Sequence, residues 1–248
     1  MSRSTSSNDI LQKFSERRGQ IAVLIDPDKF STESSLLELL KKASFAAIDY
    51  FFVGGSTVSR SSFLHVVKLI KKNSIIPVVL FPGAAHQISE EADALLYLSL
   101  ISGRNPDYLI GQHIISANEV YDMDIEVIPT AYMLIEGGTK SSVAYVSQTT
   151  PIPCDKESII LDTAKAGILQ GKKLLYLDAG SGAKNHVPVK IVNSISKLST
   201  PIIIGGGIKS KEAILSLSSA NVIVIGNKIE DDIDFLLDIK SLTTAKHE

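Results

Sequence analysis

Residues 76–99 read IPVVLFPGAAHQISEEADALLYLS, two apolar runs held apart by only nine residues, AAHQISEEA at 84–92. Each run is nearly continuous in Ile, Val, Leu and Phe, the pattern of a strand covered on both faces in a parallel sheet. Parallel neighbours need a crossover, ordinarily a helix. Nine residues leave little room for one, so the helix at this point is expected to be shortened or replaced.

Runs of the same kind lie on both sides: IAVLID (21–26), IDYFFVGG (48–55), IEVIPTAYMLI (125–135), KLLYLDAG (173–180), PIIIGGG (201–207) and NVIVIGN (221–227). Helical patterns separate most of them. Ser31 is placed to cap a helix carrying Leu36, Leu37, Leu40 and Ala43 on one side, and a helix starting near Ser59 groups Phe63, Val66, Val67 and Ile70. Asn105 followed by Pro106 is an N-cap pair. Ile159, Ile160, Thr163, Ala164, Gly167 and Ile168 form a further face that Gly171 ends, and Ser210 can cap KEAILSLSSA. Eight strands alternating with helices predict a TIM (β/α)8 barrel with a shortened or replaced third helix, formed by residues 10–248 as one domain. An open doubly wound sheet is the rival, because sequence does not display closure. The polar start, residues 1–9, is expected to be a disordered leader.

With 44% apolar and 21% charged residues the chain can bury a large core. A net charge of −2 supplies no overall attraction for nucleic acid or an anionic membrane, so an anionic ligand must be held by local geometry. Cys154 is the one cysteine, which excludes an internal disulfide and a cysteine-cluster metal site; it reads as a core or loop residue. The five histidines show no zinc-ligand spacing. No apolar run approaches the ~20 residues that span a bilayer. A cytoplasmic protein is expected, with contact to a membrane surface left open.

In a barrel, the residues just after each strand converge on one mouth. Reading off these ends gives Asp26 and Asp28, Gly54 to Ser56, Pro82 and Gly83, Ser99, Thr130 to Tyr132, Asp178 to Gly182, Gly205 to Gly207, and Gly226 with Asn227. Three glycine clusters on the last three strands either serve tight turns or let phosphate oxygens reach main-chain N–H groups. Their repetition favours phosphate. Asp26 suits Mg²⁺, an oxygen-seeking ion that bridges substrate phosphates, or else it caps a turn; Ser56 is a second oxygen ligand or a turn residue. Asp178 is the best-placed general base, and Tyr132 either points a phenol into the cavity or packs. The run GNKIEDDIDF reads as solvated helix faces.

Taken in order, IDPDK, FVGGS, FPG, PTAY, YLDAGSGA, IIGGGI and IGN resemble the geranylgeranylglyceryl phosphate synthase family, the phosphoglycerol prenyltransferases, over residues ~20–235. The resemblance implies a TIM barrel lacking a normal third helix. It also implies transfer of a prenyl group, geranylgeranyl or similar, from its diphosphate to the C3 hydroxyl of sn-glycerol 1-phosphate for ether-lipid synthesis, with pyrophosphate released. Asp26 and Ser56 match the positions assigned to Mg²⁺. Tyr176, Leu177, Asp178, Ala179, Gly180, Ser181 and Gly182, with Gly206, Gly207, Gly226 and Asn227, match the glycerol-phosphate site. Many members carry glutamate at the position of Asp178. The segment ISGRNPDYLIGQHI resembles the longer branch, whose members are commonly oligomeric, so a homo-oligomer is implied. From the residues alone, a phosphate-binding barrel isomerase or aldolase, or a non-catalytic binder of a phosphate ligand, stays open beside this transferase.

Overall fold

Eight strands close into a barrel in the computed structural model, which describes residues 9–30 and 32–244. They are β1 (Gln20–Ile25), β2 (Tyr50–Val53), β3 (Val78–Leu80), β4 (Ala94–Leu100), β5 (Glu126–Leu134), β6 (Leu174–Asp178), β7 (Ile202–Gly205) and β8 (Val222–Ile225). Every neighbouring pair is parallel, and β8 returns to β1 with Ala22 opposite Val224. That last pairing settles the choice against an open sheet.

The helices are α1 (Ile10–Glu16), α2 (Glu33–Phe45), α3 (Arg60–Asn73), α4 (Gln112–Asp122), α5 (Ser142–Ser147), α6 (Glu157–Leu169), α7 (Val189–Ile195), α8 (Lys211–Ser216), α9 (Asn227–Asp231) and α10 (Phe235–Thr244). None lies between β3 and β4, as the nine-residue spacing required. Ser59 and Ser210 cap α3 and α8, each hydroxyl accepting a main-chain N–H at 3.2 Å. The cap of α2 is Thr32; Ser31, the expected cap, lies outside the described residues. Asn105 accepts the N–H of Asp107 at 3.0 Å, but the turn that follows, Asp107–Gly111, is π-helical and α4 proper begins at Gln112. The apolar face of α6 is narrower than expected: Ile160, Ala164 and Gly167 are buried, whereas Ile159 is exposed and Thr163 only half-buried.

Alternation along each strand sorts the apolar residues into two layers. Ala22, Tyr50, Phe52, Leu96, Tyr132, Tyr176, Ile203 and Val224 fill the barrel interior. Val23, Phe51, Leu95, Met133, Leu177 and Ile204 pack outward under the helices, joined at their margin by Cys154. Ile10 and Phe14 of α1 are fully buried and belong to the inner layer, with Phe14 edge-on to Tyr50 at 4.9 Å. This first helix stoppers the end of the barrel where the strands begin. Glu126, at the start of β5, accepts the N–H groups of Ile10 and Leu11 at 2.5 and 3.1 Å, and burial pushes its carboxyl up to about 7. Asp9, expected in the leader, instead caps α1 by accepting the N–H of Gln12 at 2.9 Å; residues 1–8 lie outside the described part. Among the described residues, no helix is long and apolar enough to cross a membrane.

Candidate active site

At the opposite end, the strand termini surround a cavity of about 410 Å³. Asp26, Ser56, Tyr132, Tyr176, Asp178, Ser181, Gly206, Gly207, Gly226 and Asn227 all line it. Four residues matched by motif do not. The side chain of Leu177 faces the outer layer, one step out of phase with Tyr176 and Asp178. The N–H of Ala179 is taken by the carbonyl of Gly205 at 3.0 Å, that of Gly180 by Asp178 Oδ1 at 2.7 Å, and that of Gly182 by Asn227 Oδ1 at 2.7 Å. Ser99 and Thr130, read as strand ends, sit within strands that run on to Leu100 and Leu134. Ser99 faces outward and accepts from Lys172 Nζ at 2.6 Å; the hydroxyl of Thr130 donates to the carbonyl of Ile128 at 2.8 Å.

Asp178 ends β6 facing inward, and the register sets Tyr132 beside Tyr176 and Leu134 beside Asp178. The Tyr132 hydroxyl donates to Asp178 Oδ2 at 2.6 Å. Burial raises the Asp178 carboxyl above the usual carboxylate range, opposed by the hydrogen bonds from Tyr132 and Gly180. Each oxygen holds one donor and keeps a further lone pair, so the group can still accept a proton. Burial, with the charge of Asp178, holds both phenols well above their usual range, so they stay protonated donors. Phe81 stacks on Tyr176 at 4.8 Å, and Tyr132 stands edge-on to both rings.

Beside this carboxylate lie the glycine loops. The N–H groups of Ser181, Gly206, Gly207 and Gly226 have no acceptor among the described residues. They form a set of main-chain donors at the mouth. Gly206 has φ +80°, and a Cβ there would stand 2.6 Å from both Asp178 Oδ1 and the nitrogen of Gly180. Only glycine fits.

Across the mouth, Asp26 is half-buried at the end of β1. Its Oδ1 accepts the N–H of Asp28 at 3.1 Å, so it caps the short turn Pro27–Lys29 while also facing the cavity. Burial raises its carboxyl, with the Asp28 N–H working against that shift. Gly54 brings the neighbouring loop against β3 so closely that a Cβ would meet the Phe81 carbonyl oxygen at 1.7 Å. Asp26 and Ser56 together offer two hard oxygen donors. Among the described residues no three His, Cys, Asp or Glu side chains are grouped to hold a metal. This sparse donor set fits Mg²⁺, which keeps waters and substrate phosphate oxygens alongside one or two protein ligands.

From this polar mouth the cavity extends over Ala84, Ile88, Leu95, Tyr97, Tyr108, Leu98 and Val143. Leu95 and Tyr97 point outward from β4 beside the missing helix; Leu95 is buried, and the Tyr97 hydroxyl donates to the carbonyl of His113 on α4 at 2.8 Å. Gln87 supports the replacing loop: fully buried, it donates to the carbonyl of Gly55 at 2.8 Å and accepts the N–H of Gly83 at 3.0 Å.

Sequence reasoning missed Phe81, Glu230 and three lysines, Lys29, Lys209 and Lys228, that line the cavity, and Gln87, buried behind its wall. A buried-loop glutamine amid AAHQISEEA was the available signal for Gln87. Lys228 and Glu230 belong to GNKIEDDIDF, read as a solvated helix face; they reach the cavity because α9 starts directly after β8.

Comparison with known proteins agrees with this geometry. The family model described as the PcrB family matches residues 12–244. The chain is 45% identical over 247 residues to geranylgeranylglyceryl phosphate synthase of Chitinophaga pinensis, covering 97% of this chain and 96% of that protein. It is 37% identical to the protein of the same name from Korarchaeum cryptofilum, covering 92% and 94%. The crystal structure of (S)-3-O-geranylgeranylglyceryl phosphate synthase from Thermoplasma acidophilum, in complex with sn-glycerol-1-phosphate, superposes with a TM-score of 0.87 at 30% identity over 95% of this chain and 96% of that one. The chain belongs to the PcrB family.

Proposed function

From that membership, we propose that the chain is a prenyltransferase that joins geranylgeranyl diphosphate, or a similar prenyl diphosphate, to the C3 hydroxyl of sn-glycerol 1-phosphate, releasing pyrophosphate in ether-lipid synthesis. One observation carries this reading: a single cavity runs from free main-chain N–H donors, past a buried carboxylate, into an apolar groove opened by the helix missing between β3 and β4. A small dianion and a long hydrocarbon fit its two ends. An isomerase or aldolase of small phosphates has no use for the groove.

The N–H groups of Ser181, Gly206, Gly207 and Gly226 hold the phosphate and set the glycerol C3 hydroxyl toward Asp178. As the hydroxyl oxygen bonds to the first prenyl carbon, the bond from that carbon to diphosphate breaks and its electron pair leaves with pyrophosphate. Asp178 takes the hydroxyl proton. Tyr132, hydrogen-bonded to Asp178, keeps the carboxylate aimed, and the rings of Tyr132, Tyr176 and Phe81 face positive charge developing on the carbon. Asp26 and Ser56 are the residues that would hold Mg²⁺, which neutralises charge on the departing diphosphate when bound. Lys29 and Lys209 add cationic charge at the mouth, while Lys228 Nζ is paired with Asp232 at 2.8 Å. Each CH₂ of the tail buried in the groove contributes about 0.8 kcal/mol.

Exposed Ile110, Ile114, Ile115 and Tyr121 along α4 and the turn before it support self-association as a homo-oligomer. A cytoplasmic enzyme that meets the membrane surface to deliver its lipid product is consistent with this chemistry. The test is incubation with sn-glycerol 1-phosphate, Mg²⁺ and prenyl diphosphates of several lengths, with product mass as readout. Formation of the phosphoglycerol ether and pyrophosphate is expected; tight binding of glycerol phosphate without product would leave a non-catalytic binder.

A further inference from the structure

Glu230 and the side chain of Asn227 stand at the mouth without a part in the chemistry above. Asn227 is the first residue of α9. Its Oδ1 accepts the N–H of Gly182 at 2.7 Å and the hydroxyl of Ser181 at 3.2 Å. Its Nδ2 donates to Glu230 Oε2 at 3.0 Å. The amide is thus spent on the protein and spans the loops after β6 and β8.

A carboxamide has two nearly isosteric orientations, and a carboxylate, which only accepts, selects between them. Glu230 takes the NH₂ group, so the carbonyl oxygen must face Gly182. In the reversed orientation two N–H donors would confront one another at Gly182, and the carbonyl would confront Glu230. The turn clamped in this way holds Gly180 and Gly182 at φ +92° and +73°, and Ser181, whose N–H has no acceptor among the described residues, lines the cavity. Glu230 is half-buried at the cavity wall; burial raises its carboxyl above the usual range, opposed by the hydrogen bond from Asn227 and the charge of Lys29.

We propose that Glu230 is a positioning residue for the phosphate head group: it locks the Asn227 amide, and that amide presets the Ser181–Gly182 turn whose free N–H meets the phosphate. The inference rests on the reading of this cavity as a glycerol-phosphate site. It sets Glu230 apart from Asp26, although the two carboxylates share one rim.

The experiment pairs calorimetric binding of sn-glycerol 1-phosphate with steady-state kinetics. In Glu230→Ala, both Kd and KM for sn-glycerol 1-phosphate are expected to rise about ten-fold, the order of one lost hydrogen bond to a charged group, with kcat within about two-fold. The KM for prenyl diphosphate and the Mg²⁺ concentration at half-maximal rate should not move. Glu230→Gln, which still offers an oxygen to Asn227, should recover most of the affinity. In an Asn227→Ala background, Glu230→Ala should add nothing, because its effect passes through the amide. Unchanged glycerol-phosphate affinity in Glu230→Ala, an additive loss in the double variant, or a shift confined to Mg²⁺ half-activation would overturn the inference. Should Glu230→Ala not fold, Glu230→Leu, nearer in volume and unable to accept, carries the same expectations. Wild-type protein that fails to bind sn-glycerol 1-phosphate overturns the site reading and this inference together; wild-type binding with an indifferent Glu230→Ala overturns this inference alone.

Discussion

The two ends of the cavity are made of different material. Around the loops after β6, β7 and β8, the wall is main chain: unpaired N–H groups, glycines in conformations closed to other residues, and one carboxylate wedged among them. Between β3 and β4, where a helix is missing, the wall is apolar side chains. The difference follows from what each end must hold. A small dianion is recognised by dipoles fixed in direction, which are costly to misplace by an ångström. A hydrocarbon tail asks only for area removed from water. Substitutions at the first end should therefore act almost all-or-none, and those at the second by degrees.

The sharpest way to break this contrast is at Asp178. Asp178→Asn keeps the shape and both neighbouring donors but cannot take a proton, so kcat should fall about 10²–10⁴-fold with the circular dichroism spectrum unchanged. Turnover near wild type would remove Asp178 from the role of base. Gly206→Ala comes next. A methyl 2.6 Å from both Asp178 and Gly180, at φ +80°, should displace donor and base together and lower kcat/KM for sn-glycerol 1-phosphate by about 10²-fold or more. If the variant matched wild type, the main-chain cradle would be the wrong description.

Asp26→Ala tests the opposite rim. Its rate should fall and lose its response to Mg²⁺, while sn-glycerol 1-phosphate binds with Kd within about two-fold of wild type, since the phosphate donors are elsewhere. Tyr132→Phe sharpens the comparison through pH. The carboxyl of Asp178 already lies above the ordinary range through burial, and the Tyr132 hydrogen bond holds it down. Because the deprotonated form is the active one, removing that bond should move the acid limb of kcat to higher pH; a shift the other way contradicts the assignment. The mildest effect belongs to the groove: Ile88→Ala should raise the KM for prenyl diphosphate only about three- to ten-fold, leaving that for sn-glycerol 1-phosphate unmoved.

The same division governs what could be seen in advance. Strand runs and the nine-residue gap were legible because burial on both faces leaves an unmistakable apolar signature in short segments. Asp26, Ser56 and Asp178 were legible because strand ends converge. Phe81, Lys228 and Glu230 were not, since their place depends on which loops meet across the mouth, and a charged stretch looks the same on a solvated helix. Nor could Asn227 be separated from a direct phosphate ligand until its amide was found engaged on both sides. The π turn at Asp107–Gly111 likewise carries no local signal distinct from that of an ordinary first turn.

At the far floor, the stopper helix has its own timetable. Synthesis makes α1 well before β5, yet Glu126, which accepts the N–H groups of Ile10 and Leu11, lies 116 residues beyond Ile10. Until it is made, the first turn of α1 lacks the carboxylate that receives its N–H groups, although Phe14 can already meet Tyr50 and Phe52 of β2. A helix made ahead of every barrel strand is thus fixed at its first turn only once β5 exists, and a nascent chain halted before β5 should leave that turn open to chaperones.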